Sequence, residues 1–120
     1  MSFGRVVTAM VTPFDEQLQV KWDQVEPLIN YLIEEQHSDG LVICGTTGES
    51  PTLSEDEKLK LIELSIRVAA GRCKIIAGTG SNDTAHTIEF SRKVQVITHF
   101  CISELLVSCL YRINTEILNC

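Results

Sequence analysis

No stretch of this sequence approaches the roughly 20 apolar residues that a membrane-spanning helix requires. The longest apolar run, residues 100–111, is broken by Glu104 and two serines. The segment from Met1 to Val7 has neither the basic region nor the apolar core of a secretory leader, so the cytoplasm is the expected location. Basic residues are also scarce. Ten lysines and arginines against sixteen aspartates and glutamates leave a net charge of −6. Such a surface repels phosphate backbones and anionic headgroups, so neither a nucleic acid nor a membrane is an expected partner.

Metal-binding patterns are missing too. The five cysteines (44, 73, 101, 109 and 120) contain no C-x-x-C pair, and His37, His86 and His99 stand at no ligand spacing from them. Cys44 and Cys73 lie in apolar, strand-like surroundings and read as small core residues. Gly45 to Ser50 lacks the Gly-Lys-Ser/Thr of a P-loop, and Gly78-Thr79-Gly80 is too short to signal a dinucleotide. These residues predict neither a metal site nor a nucleotide-binding loop.

What is present suits one small globular domain, with 44% hydrophobic and 22% charged residues over 120 positions. Its organising stretch is Gly40 to Glu57, GLVICGTTGESPTLSEDE. Leu41 to Cys44 read as a strand buried on both faces. The chain then breaks into Gly45-Thr46-Thr47-Gly48-Glu49-Ser50, and Ser54 with Glu57 forms a capping box that starts a helix. Hydroxyls and free N–H groups thus gather at the carboxyl end of a strand, where α/β folds hold ligands. Two glycines let a small anion approach the backbone closely.

The remaining elements follow the same alternation. Arg5 to Thr12 predicts a first strand. Asp23 with Glu26 predicts a helix start, and Val25, Leu28, Ile29, Leu32 and Ile33 keep helical spacing to Glu35. Pro27 fits that helix only at about the end of its first turn. The second helix runs from Ser54 to a left-handed cap at Gly71. Lys74 to Gly78 predicts a third strand, followed by a small-residue loop and a third helix from about residues 82–84. Strand and helix alternate three times, which is a parallel α/β unit. Periodicity leaves two continuations open, a (β/α)8 barrel or a doubly wound sheet.

Thr12-Pro13-Phe14, Gly40 through Leu53, the following Ser54-x-x-Glu57, and Ala77-Gly78-Thr79-Gly80-Ser81-Asn82 closely resemble the dihydrodipicolinate synthase (4-hydroxy-tetrahydrodipicolinate synthase) family of class I pyruvate aldolases. The resemblance covers residues 4–93 and implies the first three βα units of a TIM barrel. It also implies the family's reaction, with no metal and no organic cofactor: a lysine forms a Schiff base with pyruvate, and the enamine adds to L-aspartate-4-semialdehyde on the route to diaminopimelate and lysine. By position, Thr47 would bind the pyruvate carboxylate and Thr46 would serve in the proton relay. A carboxylate in a dry site needs several donors, and a relay needs a hydroxyl that both gives and accepts. A structural role, in which both hydroxyls satisfy their own loop, is the competing reading. N-acetylneuraminate lyase, a sibling enzyme, tends to carry serine where Thr46 stands. Members inhibited by lysine use a glutamate at the position of His86 and histidines at Glu55 and Lys58, so a lysine-insensitive branch is implied. Full-length members are expected to be homo-tetramers.

After Lys93 the resemblance stops abruptly, as a shifted reading frame would cause, and residues 94–120 form a divergent tail. Ile102, Leu105, Leu106, Cys109 and Leu110 follow helical spacing, so an amphipathic helix from Cys101 to Arg112 is expected there. The family's Schiff-base lysine and relay tyrosine would lie beyond this point. Lys21, Lys58, Lys60, Lys74 and Lys93 all stand in charged or misplaced positions, so the chain is expected to be truncated and inactive alone. Three strands leave two open edges, which predicts self-association. A non-catalytic fragment that pairs with an intact homologue is the alternative of a different class.

Overall fold

The computed structural model describes residues 3–98 and 105–106. Its order is β1 (Val7–Ala9), α1 (Trp22–Glu34), β2 (Gly40–Ile43), a 3-10 turn (Ser50–Thr52), α2 (Glu55–Ala69), β3 (Lys74–Gly78), α3 (Thr84–Thr98) and β4 (Leu105–Leu106). All four strands are parallel and lie in the sheet in chain order, β1-β2-β3-β4. Thr8 pairs with Leu41 and Leu41 with Ile75, while Ile43 pairs with Ala77.

The helices cover one face of this sheet. Leu41, Ile43 and Ala77 are buried in a single cluster with Ile29 of α1, Leu61 and Ile62 of α2, and Phe90 and Val94 of α3. On β1 the alternate residues Val7 and Ala9 are exposed, as is Val11 just beyond it. A doubly wound sheet would cover both faces and reverse its strand order at a switch point. Sequential parallel strands with helices on one side are the opening of a (β/α)8 barrel.

Each crossover has a local cause. Ser54 and Glu57 form both bonds of the capping box, Glu57 N donating to Ser54 Oγ at 3.2 Å and Ser54 N to the Glu57 carboxylate at 2.8 Å. Such a cap is worth about 1 kcal/mol. Arg72 ties the end of α2 to α1, donating to Glu34 at 2.6 Å and to Asn30 at 2.5 Å. Asp39 anchors the start of β2 to the chain before β1, accepting from the backbone N–H groups of Arg5 at 2.6 Å and Val6 at 3.0 Å. These two bonds hold the Asp39 carboxyl below the usual carboxylate range. Its contribution is therefore complete above the ordinary aspartate pKa and is lost as pH falls through the lowered folded value. Asp39→Asn should flatten the acid limb of a plot of melting temperature against pH. An unchanged slope below pH 4 would show that the anchor does not form.

Several elements differ from expectation. Helix α1 begins at Trp22 with Lys21 as an uncapped N-cap, not at Asp23. Lys21 N donates to Pro13 O at 2.8 Å and Val20 is buried, so this tie sets the entry, and Asp23 complements the helix dipole from within the first turn. Pro27 thus falls in the second turn and removes a bond to the Asp23 carbonyl. At the end of α2 the left-handed cap is Ala70, with φ +47°, and Gly71 follows at +77°. The first strand is shorter than Arg5 to Thr12, although Met10 N still reaches Val42 O at 3.0 Å. Helix α3 continues past Lys93 to Thr98. Leu105 and Leu106 are strand rather than helix. The rest of the helix expected from Cys101 to Arg112, with His99, Cys101, Cys109 and Cys120, lies outside the described residues.

Candidate active site

The β2–α2 loop leaves the sheet by an unusual route. Cys44 has φ +58° and Glu49 has φ +55°, two left-handed non-glycine residues that bracket Gly45 to Gly48. Such conformations cost about 1 kcal/mol or more each and persist only where the surroundings enforce them. Gly78, at the end of β3, is part of that enforcement. A Cβ there would overlap the Cys44 carbonyl and come within 3.0 Å of Gly45 N, so the two strand ends meet backbone to backbone.

Three of the loop's N–H groups are satisfied within it. Gly48 N and Ser50 N donate to Gly45 O, and Glu49 N donates to Thr46 O. Thr12 Oγ1 donates to Gly48 O at 2.7 Å from the β1 side. The hydroxyls of Thr46 and Thr47 are left over. Both residues are exposed, and among the described residues neither side chain has a hydrogen-bond partner.

The facing β3–α3 loop is held differently, by side chains. Ser91 Oγ donates to Thr79 Oγ1 at 2.9 Å, with both residues buried, and Ser81 N donates to Thr87 Oγ1 at 3.0 Å. Asp83 accepts from His86 N and so caps α3. Between the two loops is an open cavity of about 310 Å3 at the carboxyl ends of β2 and β3. Thr46 lines it together with Ser50, Lys58, Ser81 and Asn82, while Thr47 lies outside its wall.

Reading the sequence singled out Thr46 and Thr47 and missed the rest of that wall. Lys58 belongs by sequence to a charged helix start, but it is half-buried, with Nζ 5.8 Å from the Phe90 ring centroid. The spacing Ser54-x-x-x-Lys58 could have shown this, since a residue one turn after the cap shares the cap's face. Glu55 is turned to Lys93 at 2.6 Å, and His86 stacks on Phe90. The Cys44 thiol is buried, which pushes its pKa up to about 12, so it is not a nucleophile. Cys73 is half-buried against the core, and its pKa is raised by the same desolvation. Among the described residues no cluster of histidine, cysteine and carboxylate could hold a metal, and no helix is long and apolar enough to cross a membrane.

The model of the dihydrodipicolinate synthetase family matches residues 2–106, well past Lys93. The chain belongs to that family. The 4-hydroxy-tetrahydrodipicolinate synthase of Listeria innocua is 56% identical over 95 residues, which are 78% of this chain and 32% of the relative. The pyruvate-complexed dihydrodipicolinate synthase of Acinetobacter baumannii superposes with a TM-score of 0.76 at 38% identity, over 80% of this chain and 33% of that one. The N-acetylneuraminate lyase of Mycoplasma synoviae does so at 0.73 and 34% identity, over 82% and 33%. The chain thus spans about a third of the curated relative's length.

Proposed function

We propose that this chain supplies the keto-acid half of a 4-hydroxy-tetrahydrodipicolinate synthase site, for the condensation of pyruvate with L-aspartate-4-semialdehyde through a Schiff base. In this reading Thr47 binds the pyruvate carboxylate through its hydroxyl and a loop N–H, and Thr46 passes a proton to and from the substrate. The observation that carries it is Thr46, whose hydroxyl has no hydrogen-bond partner among the described residues, on the wall of a cavity at the carboxyl rim of the sheet. The pyruvate held by the Acinetobacter baumannii relative supports the substrate class. The 56% identity to the Listeria innocua 4-hydroxy-tetrahydrodipicolinate synthase favours the synthase over the sibling lyase.

The amine that forms the Schiff base is not supplied by the described lysines. Lys74 opens β3 at the amino-terminal end of the sheet, with Nζ 5.6 Å from the Phe3 ring centroid. Lys60 lies over Trp22, and Lys93 is paired with Glu55 at 2.6 Å and Glu89 at 3.1 Å. Borohydride reduction in the presence of pyruvate should leave the mass of the 120-residue chain unchanged. An adduct on Lys58, the one described lysine lining the cavity, would overturn this assignment.

A chimera tests the reading directly. Residues 3–98 of this chain, placed in the Listeria innocua enzyme for the matching segment, should restore condensation of the two substrates. In that chimera Thr47→Val should raise the pyruvate KM about tenfold, the loss of one hydrogen bond to a charged group. A folded chimera without turnover would refute the proposal.

A further inference from the structure

Lys58 brings a positive charge to the cavity wall, and among the described residues no carboxylate is paired with it. Glu55, whose carboxyl group it influences, is held by Lys93 at 2.6 Å, and the Glu57 carboxylate accepts from Ser54 N at 2.8 Å. Lys58 is half-buried, and the Phe90 ring takes the place of water on one side of its ammonium. A charge withdrawn from water in this way is costly unless an opposite charge meets it.

Ser50 points to the same place independently. It is only 9% exposed, yet its hydroxyl has no hydrogen-bond partner among the described residues. No buried side-chain oxygen described is both unpaired and sealed off, so this hydroxyl opens into the cavity that Ser50 lines. Asn82 adds an amide on the facing loop, also without a partner among the described residues. We infer that Lys58, Ser50 and Asn82 form a binding site for a small oxyanion, a carboxylate or a phosphate group. An ammonium, a hydroxyl and an amide converging on one space are the donors that such a group requires. The cavity of about 310 Å3 equals the liquid volume of about ten waters, room for a small acid and not for a nucleotide. With a net charge of −6 the chain as a whole does not gather anions, so the selection is local. Thr47 lies outside the cavity wall, and Lys58 reaches the cavity from the helix layer in which Phe90 is buried. The oxyanion is therefore separate from the pyruvate carboxylate assigned to Thr47 and does not depend on the proposed chemistry.

Titration of the full 120-residue chain with sodium phosphate, and separately with sodium acetate, tests the site by calorimetry and by melting temperature at constant ionic strength. At least one of the two should bind saturably and raise the melting temperature, as a ligand of the folded state does. Phosphate alone would assign a phosphoryl group, acetate alone a carboxylate, and both the shared oxyanion chemistry. Lys58→Gln should weaken the binding about tenfold or more, and Ser50→Ala about fivefold, the losses of a charged and a neutral hydrogen bond. Lys60→Gln, which removes an ammonium that lies over Trp22, should leave it unchanged, as should Thr47→Val. Circular dichroism checks that each variant keeps its fold. No saturation by either anion, binding that Lys58→Gln and Ser50→Ala leave intact, or an equal loss in Lys60→Gln would overturn the inference. A loss confined to Thr47→Val would do so too, by assigning the anion to the pyruvate loop. A chimera without turnover would leave the oxyanion site standing, and a chain that binds neither anion would leave the proposed function standing.

Discussion

Gly78→Ala is expected to destabilise the chain by about 3 kcal/mol, near the upper end for overpacking, because the added methyl meets backbone that cannot rotate away. The Cβ would stand 2.7 Å from the carbonyl carbon of Cys44 and 3.0 Å from Gly45 N. Relief requires β2 and β3 to separate at their carboxyl ends, just past the pair Ile43–Ala77. For a domain of this size the loss corresponds to a fall in melting temperature of roughly 12 °C or more. Thermal unfolding followed by circular dichroism measures it. A change under about 1 kcal/mol would mean that the strand ends do not meet at this point. The same shift would carry Cys44 and Gly45 outward, and Thr46 with them, so the site and the stability should fail together.

Thr46→Val in the Listeria innocua chimera separates chemistry from folding. Valine keeps the shape and the β-branch and removes only the hydroxyl. That hydroxyl has no hydrogen-bond partner among the described residues, so stability should change by less than about 0.5 kcal/mol. If it relays a proton, kcat should fall about 100-fold while the pyruvate KM barely moves. Thr46→Ser should recover most of the rate. Equal losses in stability and rate would assign Thr46 to the architecture of the loop, and a KM effect alone would assign it to binding.

How far the sequence leads depends on how local the cause is. The capping box at Ser54 and Glu57 and the strand Lys74 to Gly78 appear as expected, because each is written in a few adjacent residues. The start of α1 departs from the local capping signal at Asp23 because a long-range bond, Lys21 N to Pro13 O, sets the helix entry. The left-handed backbone at Cys44 is invisible to propensity, since it is imposed by the contact with Gly78 thirty-four positions later. The choice between barrel and doubly wound sheet was equally out of reach of periodicity and follows from strand order and one-sided helix cover. In the site, a recognisable motif picked out Thr46, whereas Lys58, Ser81 and Asn82 join it only through the meeting of two loops.

The chain-order arrangement of the strands bears on how such a protein is made. Each strand pairs with the one synthesised just before it, so the sheet can grow at the mouth of the ribosome without waiting for distant sequence. The free side of β1 is different, for in a barrel its neighbour is the last strand translated. About two thirds of the curated relative's length lies outside the matched segment, an interval of many seconds at the usual elongation rate. Throughout that interval an edge like β1, with the exposed Val7 and Val11, has no strand to pair with, which makes it the place most open to mispairing.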